Sequence, residues 1–251
     1  MLSFIEYGSG SPVILVHGLL GSKINMAGAA RFLADRHHAL AVDLRNHGES
    51  FHHNSMNYRI MAADIGGFMD DNGLETASLV GHSMGGKCAM QYALSFPDRV
   101  DKLVVVDIAP GEYTDPSWTR YLNAMLAVDA SGLKSRKEAD EALEKEIPSQ
   151  IYRQFLLSNL VSDDGGSYRW RPNLAAILAA QHEISAAVSG PASRIDTLFI
   201  RGSASAYIND EDLQLIENLF PQAQLTTVDE CGHLVHIEAR DRFNQLLHDF
   251  L

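Results

Sequence analysis

The 251-residue sequence is poor in cysteine, in basic charge and in long apolar runs. Its two cysteines, Cys88 and Cys231, are too few for a disulfide scaffold or a cysteine-rich metal site. They are expected to be buried free thiols in a reducing, cytoplasmic protein. Twenty Lys and Arg against 32 Asp and Glu leave a formal charge of −12. Such a chain repels phosphate backbones and anionic lipid, so neither nucleic acid nor membrane is expected as a partner. No apolar run approaches the roughly 20 residues needed to cross a bilayer. Met1-Leu2-Ser3-Phe4 has neither a basic n-region nor a small-residue cleavage site, so no signal peptide is expected. His-Glu-x-x-His spacing is missing, and the pairs His37-His38 and His52-His53 point apart, so no metal and no cofactor are expected.

What is present is the make-up of an ordinary globular domain, 46% apolar and 21% charged. Strand-length apolar runs occur at Val13–His17, Ala39–Asp43, Ser78–Gly81, Leu103–Asp107, Thr197–Ile200 and Leu225–Val228. Helical periodicity lies between them, around Ala27–Ala34, Ile60–Met69, Lys87–Leu94, Asp210–Phe220 and Ala239–Phe250. That alternation predicts an α/β fold, a mostly parallel sheet flanked by helices, with Phe4–Tyr7 as a short antiparallel edge strand.

The alternation breaks once. From about Gly111 to Gly190 no strand-like run occurs. Trp118, Leu122, Met125 and Leu126 form one helical stripe, and Leu174, Ile177, Leu178, Gln181 and Val188 a second. Asp163-Asp164-Gly165-Gly166 is expected as a turn between them. An ordinary crossover is far shorter, so 111–190 reads as a helical cap on a core formed by 1–110 and 191–251.

Leu79-Val80-Gly81-His82-Ser83-Met84-Gly85-Gly86 carries the strongest chemical signal. A strand runs straight into Gly-x-Ser-x-Gly and a helical segment follows, the context of a sharp turn that lifts a serine nucleophile, Ser83, out of the sheet. The helix start behind it favours a developing anion. Acyl transfer also needs donors where the carbonyl oxygen becomes charged. The backbone N–H of Met84 is one candidate, and that of Leu19, in His17-Gly18-Leu19-Leu20-Gly21, is the other. The general base is expected from Gly232-His233, in a tight loop before the last helix. His236 is expected to support that helix start.

With these motifs the sequence resembles the α/β-hydrolases over essentially its whole length. Asp43-Leu44-Arg45-Asn46-His47-Gly48-Glu49-Ser50 matches the family's loop after an acidic strand end. The run Gly81–Lys87 with Val106-Asp107-Ile108-Ala109-Pro110 is similar to the bacterial YbfF-type esterases, capped enzymes acting on acyl esters and thioesters. The resemblance places the triad acid three residues after a strand-ending glycine, where this chain has Ser205 after Gly202. Serine cannot serve as a carboxylate. Asp107, ending the strand after the nucleophile's helix, can reach His233 from beside Ser83, and the resemblance implies the same position. Asp210, Asp212 and Asp229 are rivals, the first two explained equally by helix capping.

The expected activity is a serine esterase or thioesterase with a Ser83-His233-Asp107 triad acting on small to medium acyl esters. Trp118, Leu122, Met125, Phe155 and Leu156 are candidate walls for an acyl chain, or simply cap core. Lys87 is a candidate contact for a phosphorylated leaving group such as coenzyme A, against the plainer reading of a solvated lysine. The segment 111–190 holds eight Lys and Arg against eleven Asp and Glu, so it offers no broad anion-attracting field. The alternatives are a C–C hydrolase or menaquinone-pathway lyase, for which Arg45 and Lys87 are the local cations, and a non-catalytic ligand-binding protein of this fold.

Overall fold

The computed structural model describes residues 1–163 and 165–251. Seven strands form one sheet: β1 (Phe4–Tyr7), β2 (Ser11–Val16), β3 (His37–Val42), β4 (Ala77–His82), β5 (Val100–Val106), β8 (Thr197–Gly202) and β9 (Ala223–Val228). Their order is β1-β3-β2-β4-β5-β8-β9. All neighbours are parallel except β1, which runs antiparallel to β3 at the edge. Every expected strand is present, and several begin earlier than their apolar runs, at Ser11, His37 and Val100. The apolar run marks the doubly covered part of a strand; ladder hydrogen bonds carry on into its half-exposed start.

Helices α1 (Lys23–Leu33) and α11 (Arg240–Phe250) cover one face; α2 (Tyr58–Asp71), α3 (Met84–Ser95) and α9 (Asp212–Leu219) supply the rest of the frame. Leu15, Ala41, Val104 and Ile200 point to the α1/α11 face with Met26, Leu33 and Phe243. Ile14, Leu79, Val105 and Phe199 point to the other with Ile65, Phe68 and Met90. This period-two split is what a parallel sheet buried on both sides requires.

The chain between β5 and β8 holds α4 (Pro116–Ala127), α5 (Arg136–Glu144), α6 (Gln150–Leu157), α7 (Leu174–Ala179) and α8 (Gln181–Ser185). Its buried Leu122, Met125, Leu143, Leu156 and Ile177 belong to the same apolar cluster as the sheet residues of that face. Two details differ from expectation. The segment contains a two-stranded antiparallel hairpin, β6 (Leu160–Ser162) and β7 (Tyr168–Trp170). Three-residue strands are too short to show alternation. The stretch expected as that turn therefore falls between β6 and β7 rather than between two helices; Gly166 takes φ +80°, and Asp164 lies outside the described residues. Leu126, read as part of the first stripe, is exposed at the end of α4.

Candidate active site

Among the described residues, five non-glycine residues have positive φ, and each follows the C-terminal end of a parallel strand. They are Leu20 after β2, Asn46 after β3, Ser83 after β4, Asp107 after β5 and Glu230 after β9. Such backbone costs of order 1–3 kcal/mol per residue and persists where the surrounding structure holds it. The strained positions crowd the edge where α/β sheets bind ligands.

His82 of β4 pairs with Val106 of β5, so the next residues, Ser83 and Asp107, leave adjacent strands side by side. Ser83 N–H donates to Val106 O (2.9 Å) and Asp107 N–H to Ile200 O (2.8 Å), extending the ladder to both. The turn at Ser83, φ 53° and ψ −122°, is tight enough that a Cβ on Gly85 would come within 2.4 Å of His17 O. Only glycine fits there.

His233 enters from the loop between Glu230 and the short helix α10 (Val235–Glu238). Its Nε2 lies 3.0 Å from Ser83 Oγ and its Nδ1 2.7 Å from Asp107 Oδ2. A carboxylate only accepts, so Nδ1 carries the proton and Nε2 accepts from the serine hydroxyl. All three side chains are buried.

Several residues with no supporting role expected from the sequence hold this row in place. Ser205, at the position where the resemblance placed the acid, donates its hydroxyl to Asp107 Oδ2, and Gly202 N–H donates to Oδ1 (2.9 Å). His82 Nε2–H donates to His233 O (2.8 Å). Glu238 accepts from the N–H groups on either side of His233, Gly232 (2.9 Å) and Leu234 (3.0 Å). The Tyr207 ring stacks on His233 at 4.0 Å between centroids, and its hydroxyl donates to Asp115 (2.5 Å). Burial works against an ionised Asp115, but the hydrogen bonds from Tyr207 and Ser117 outweigh it and lower its pKa. None of these supports has a local motif, because each spans a large sequence separation or depends on a short loop.

The loop after β2 lies against Ser83: a Cβ on Gly18 would meet Ser83 Cβ at 3.2 Å. Gly18 O accepts from Gly21 N–H (2.9 Å) and from His17 Nδ1–H (2.8 Å). A trans peptide then turns the Leu19 N–H to the opposite side. Leu20 N–H donates to His47 Nε2 (3.1 Å), and Leu44 N–H to His17 Nε2 (3.0 Å). Burial lowers the His17 pKa to about 4 and the His47 pKa to about 3, so both stay neutral acceptors. Met84 opens α3, where a first-turn N–H has no intrahelical partner.

Lys87 corrects both sequence readings: it is neither solvated nor free to meet a ligand. Its side chain is fully buried. Nζ donates to Gly111 O and to Ala186 O (2.7 Å), at the two ends of the insertion, and lies 4.7 Å from the Tyr113 ring centroid. Burial pulls its pKa down to about 7, against the pull of Glu112 and Asp212. Lys87→Met should leave the partly buried carbonyls of Gly111 and Ala186 without this donor, at about 1–3 kcal/mol in all. Urea unfolding of the variant reads that loss.

The remaining candidates are also located. Arg45 is held by Asp64 at 2.5 and 2.7 Å, leaving neither proposed local cation available. Trp118, Leu122, Met125, Phe155 and Leu156 all lie in the apolar cluster, with Trp118 Nε1–H on Tyr207 Oη (3.0 Å). A cleft of about 350 Å³ opens beside them, lined by Tyr113, Asp115, Tyr207 and Asp212 rather than by these five. Asp210 is exposed beside Arg201 (3.5 Å), Asp212 accepts from Asn209 N–H (2.9 Å), and Asp229 is exposed. His236 does not support the helix start; Glu238 does. The His236 ring is buried 4.6 Å from that of His82, and neither nitrogen has a partner. Cys88 and Cys231 are free and buried, and burial pushes both thiols up, Cys231 to about 11.

A seven-stranded, mostly parallel sheet with a serine on a strained strand-to-helix turn, in contact with a late loop histidine, defines an α/β hydrolase. The family model for the alpha/beta hydrolase fold matches residues 11–240, and the chain belongs to that family. It is similar to the sn-1-specific diacylglycerol lipase ABHD11 of Mus musculus, 40% identical over 250 residues covering 95% of this chain and 80% of that one. It is similar to the esterase YbfF of Escherichia coli, 34% identical over 241 residues covering 96% and 93%. A solved marine microorganism esterase superposes with TM-score 0.97 at 37% identity, covering 100% of this chain and 99% of its own. With these relatives the chain falls among the carboxylic ester hydrolases. No helix among the described residues is long and apolar enough to cross a membrane.

Proposed function

We propose that the chain hydrolyses small to medium acyl esters by acyl transfer through Ser83, with His233 as general base and Asp107 as its carboxylate. The continuous contact Ser83–His233–Asp107, at 3.0 and 2.7 Å within a buried site, carries this reading. Ser83 Oγ bonds to the substrate carbonyl carbon while its proton passes to His233 Nε2. The carbonyl π pair moves to oxygen, where the N–H groups of Leu19 and Met84 receive it. Collapse breaks the bond to the leaving group, which takes the proton from His233. Water then repeats the sequence and frees the acid. Asp107 stabilises the transient imidazolium and keeps its tautomer; the stacked Tyr207 ring limits its swing.

The insertion at 111–190 is read as a cap over this edge of the sheet. Lys87 and Gln91 tie its ends to the nucleophile's helix, Gln91 through Ser189 O at 3.1 Å. With Lys87 occupied and Asp115 and Asp212 on the cleft beside Tyr207, a neutral alcohol fits as leaving group better than polyanionic coenzyme A. The mouse relative's name, a diacylglycerol lipase, is consistent with that choice. The triad reading is tested by pre-steady-state hydrolysis of a nitrophenyl ester. A burst equal to the enzyme concentration is expected, and none from Ser83→Ala; equal activity of the two would overturn it. A higher turnover on acyl-CoA than on neutral esters would reverse the leaving-group choice.

A further inference from the structure

We infer that Asn159, in the insertion, is a positioning residue that orients and polarises the oxyanion donor at Leu19. This rests on the reading of the Leu19 N–H as such a donor. Asn159 follows α6 and precedes β6, and its backbone is fixed on both sides: its N–H donates to Leu156 O (3.0 Å) and its carbonyl accepts from Arg171 N–H (2.9 Å). Its side chain is sent across to the core, where Nδ2 donates to Leu20 O at 2.6 Å. The residue is 2% exposed, so this bond is shielded from water.

The bond sits at the head of a relay. Leu20 O and Gly21 N–H belong to one peptide, and Gly21 N–H donates to Gly18 O (2.9 Å). Gly18 O and Leu19 N–H belong to the next. Hydrogen bonds in series polarise one another, and more so in a low-dielectric interior. A donor pulling on Leu20 O therefore makes Gly21 N–H a stronger donor, which in turn draws charge from the Gly18–Leu19 peptide and strengthens the Leu19 N–H. The relay needs Leu20 in its left-handed conformation, φ 57°, to turn Gly21 back on Gly18. Asn159 from one side and His47 from the other hold Leu20 there.

A purely structural asparagine would satisfy a buried carbonyl and lower stability when removed, with no effect on turnover. A positioning role moves kcat as well. Removing an oxyanion donor outright costs about 10²–10³ in kcat, so weakening and misaligning one through Asn159→Ala should lower kcat by less, about threefold to tenfold. KM should stay within about twofold, because the ground-state carbonyl gains little from the donor. An alkylboronic acid, whose tetrahedral adduct on Ser83 carries the same oxygen, should bind more weakly by the same factor. Asn173→Ala serves as a control: it removes another tie between insertion and core, Nδ2 to Asn46 Oδ1 at 3.3 Å, and should lower stability while leaving kcat unchanged.

Asn159→Asp keeps the shape and decides the matter if the alanine variant does not fold. The introduced carboxylate repels Leu20 O, whereas its protonated form donates to it, and burial raises the pKa of such a group toward neutrality. The ratio of variant to wild-type kcat should therefore rise as pH falls from 8 to 6. A flat ratio, or an Asn159→Ala variant with wild-type kcat, overturns the inference while boronic acid inhibition of the wild type leaves the acyl-transfer reading standing. Boronic acid binding no tighter to the wild type than to Ser83→Ala overturns that reading itself.

Discussion

Asp107→Asn is expected to leave a folded protein whose kcat on a nitrophenyl ester is lower by about 10⁴, the factor seen when a related triad loses its carboxylate. The local hydrogen bonds explain why folding survives. Asn keeps the oxygen that accepts from Gly202 N–H, and Ser205 can rotate its hydroxyl to accept from the new amide. The imidazole has no such freedom. Facing an N–H donor, His233 must turn its unprotonated nitrogen to position 107, which puts the proton on Nε2 and removes the acceptor for Ser83. Asp210→Asn is the matching control. That carboxylate is exposed beside Arg201 and has no bond to His233, whose Nδ1 is taken by Asp107, so kcat should not change. A normal kcat for Asp107→Asn, in protein with wild-type unfolding behaviour, would remove Asp107 from the mechanism.

The protein is also expected to lose stability steeply in mild acid. Burial is the largest cause lowering His17 to about 4, His47 to about 3 and His236 to about 3, and it drives His82 well down as well. All four sit close to the candidate site, and neighbouring histidines depress one another further in His47, His82 and His236. Above about pH 6.5 these residues are neutral in both folded and unfolded chains, so they impose no cost. Below it the unfolded chain binds protons that the folded chain refuses, and stability falls with pH until the folded values are reached. Each such histidine contributes about 1.4 kcal/mol per pH unit, so four of them can consume a net stability of about 5–15 kcal/mol within a few units. Urea unfolding measured stepwise from pH 7 to 5 should show an uptake of about three to four protons. His236→Leu should lessen the slope by about one proton without loss at pH 7, because neither ring nitrogen has a partner to lose. An uptake below one proton would show that these rings already exchange with solvent.

Much of this fold was legible in the linear chain because its signals are local. An apolar run of strand length, followed by Gly81-His82-Ser83-Met84-Gly85, implies a strand, a tight turn and a helix from steric necessity alone, and the turn is there. The break in the alternation was readable because about 80 residues without a long strand exceed an ordinary crossover, and helices with one short hairpin lie between β5 and β8. Even Asp107 was reachable, since parallel strands present their ends at one edge and the register sets it next to Ser83. The hairpin at 160–170 was not legible, its strands being too short to show a period.

Side-chain duties divided differently. The sequence by itself marked which serine leads a helix, which histidine follows the last strand and which segment interrupts the strand–helix alternation. Only the tertiary structure decided that Lys87 is a buried tie, that Ser205 bonds to Asp107, that Glu238 and His82 clamp His233, and that Asn159 reaches Leu20. The reason is physical. Backbone geometry is dictated by a residue and its near neighbours, whereas a long-range polar contact exists only once packing has brought two distant groups within hydrogen-bond reach and excluded water from between them.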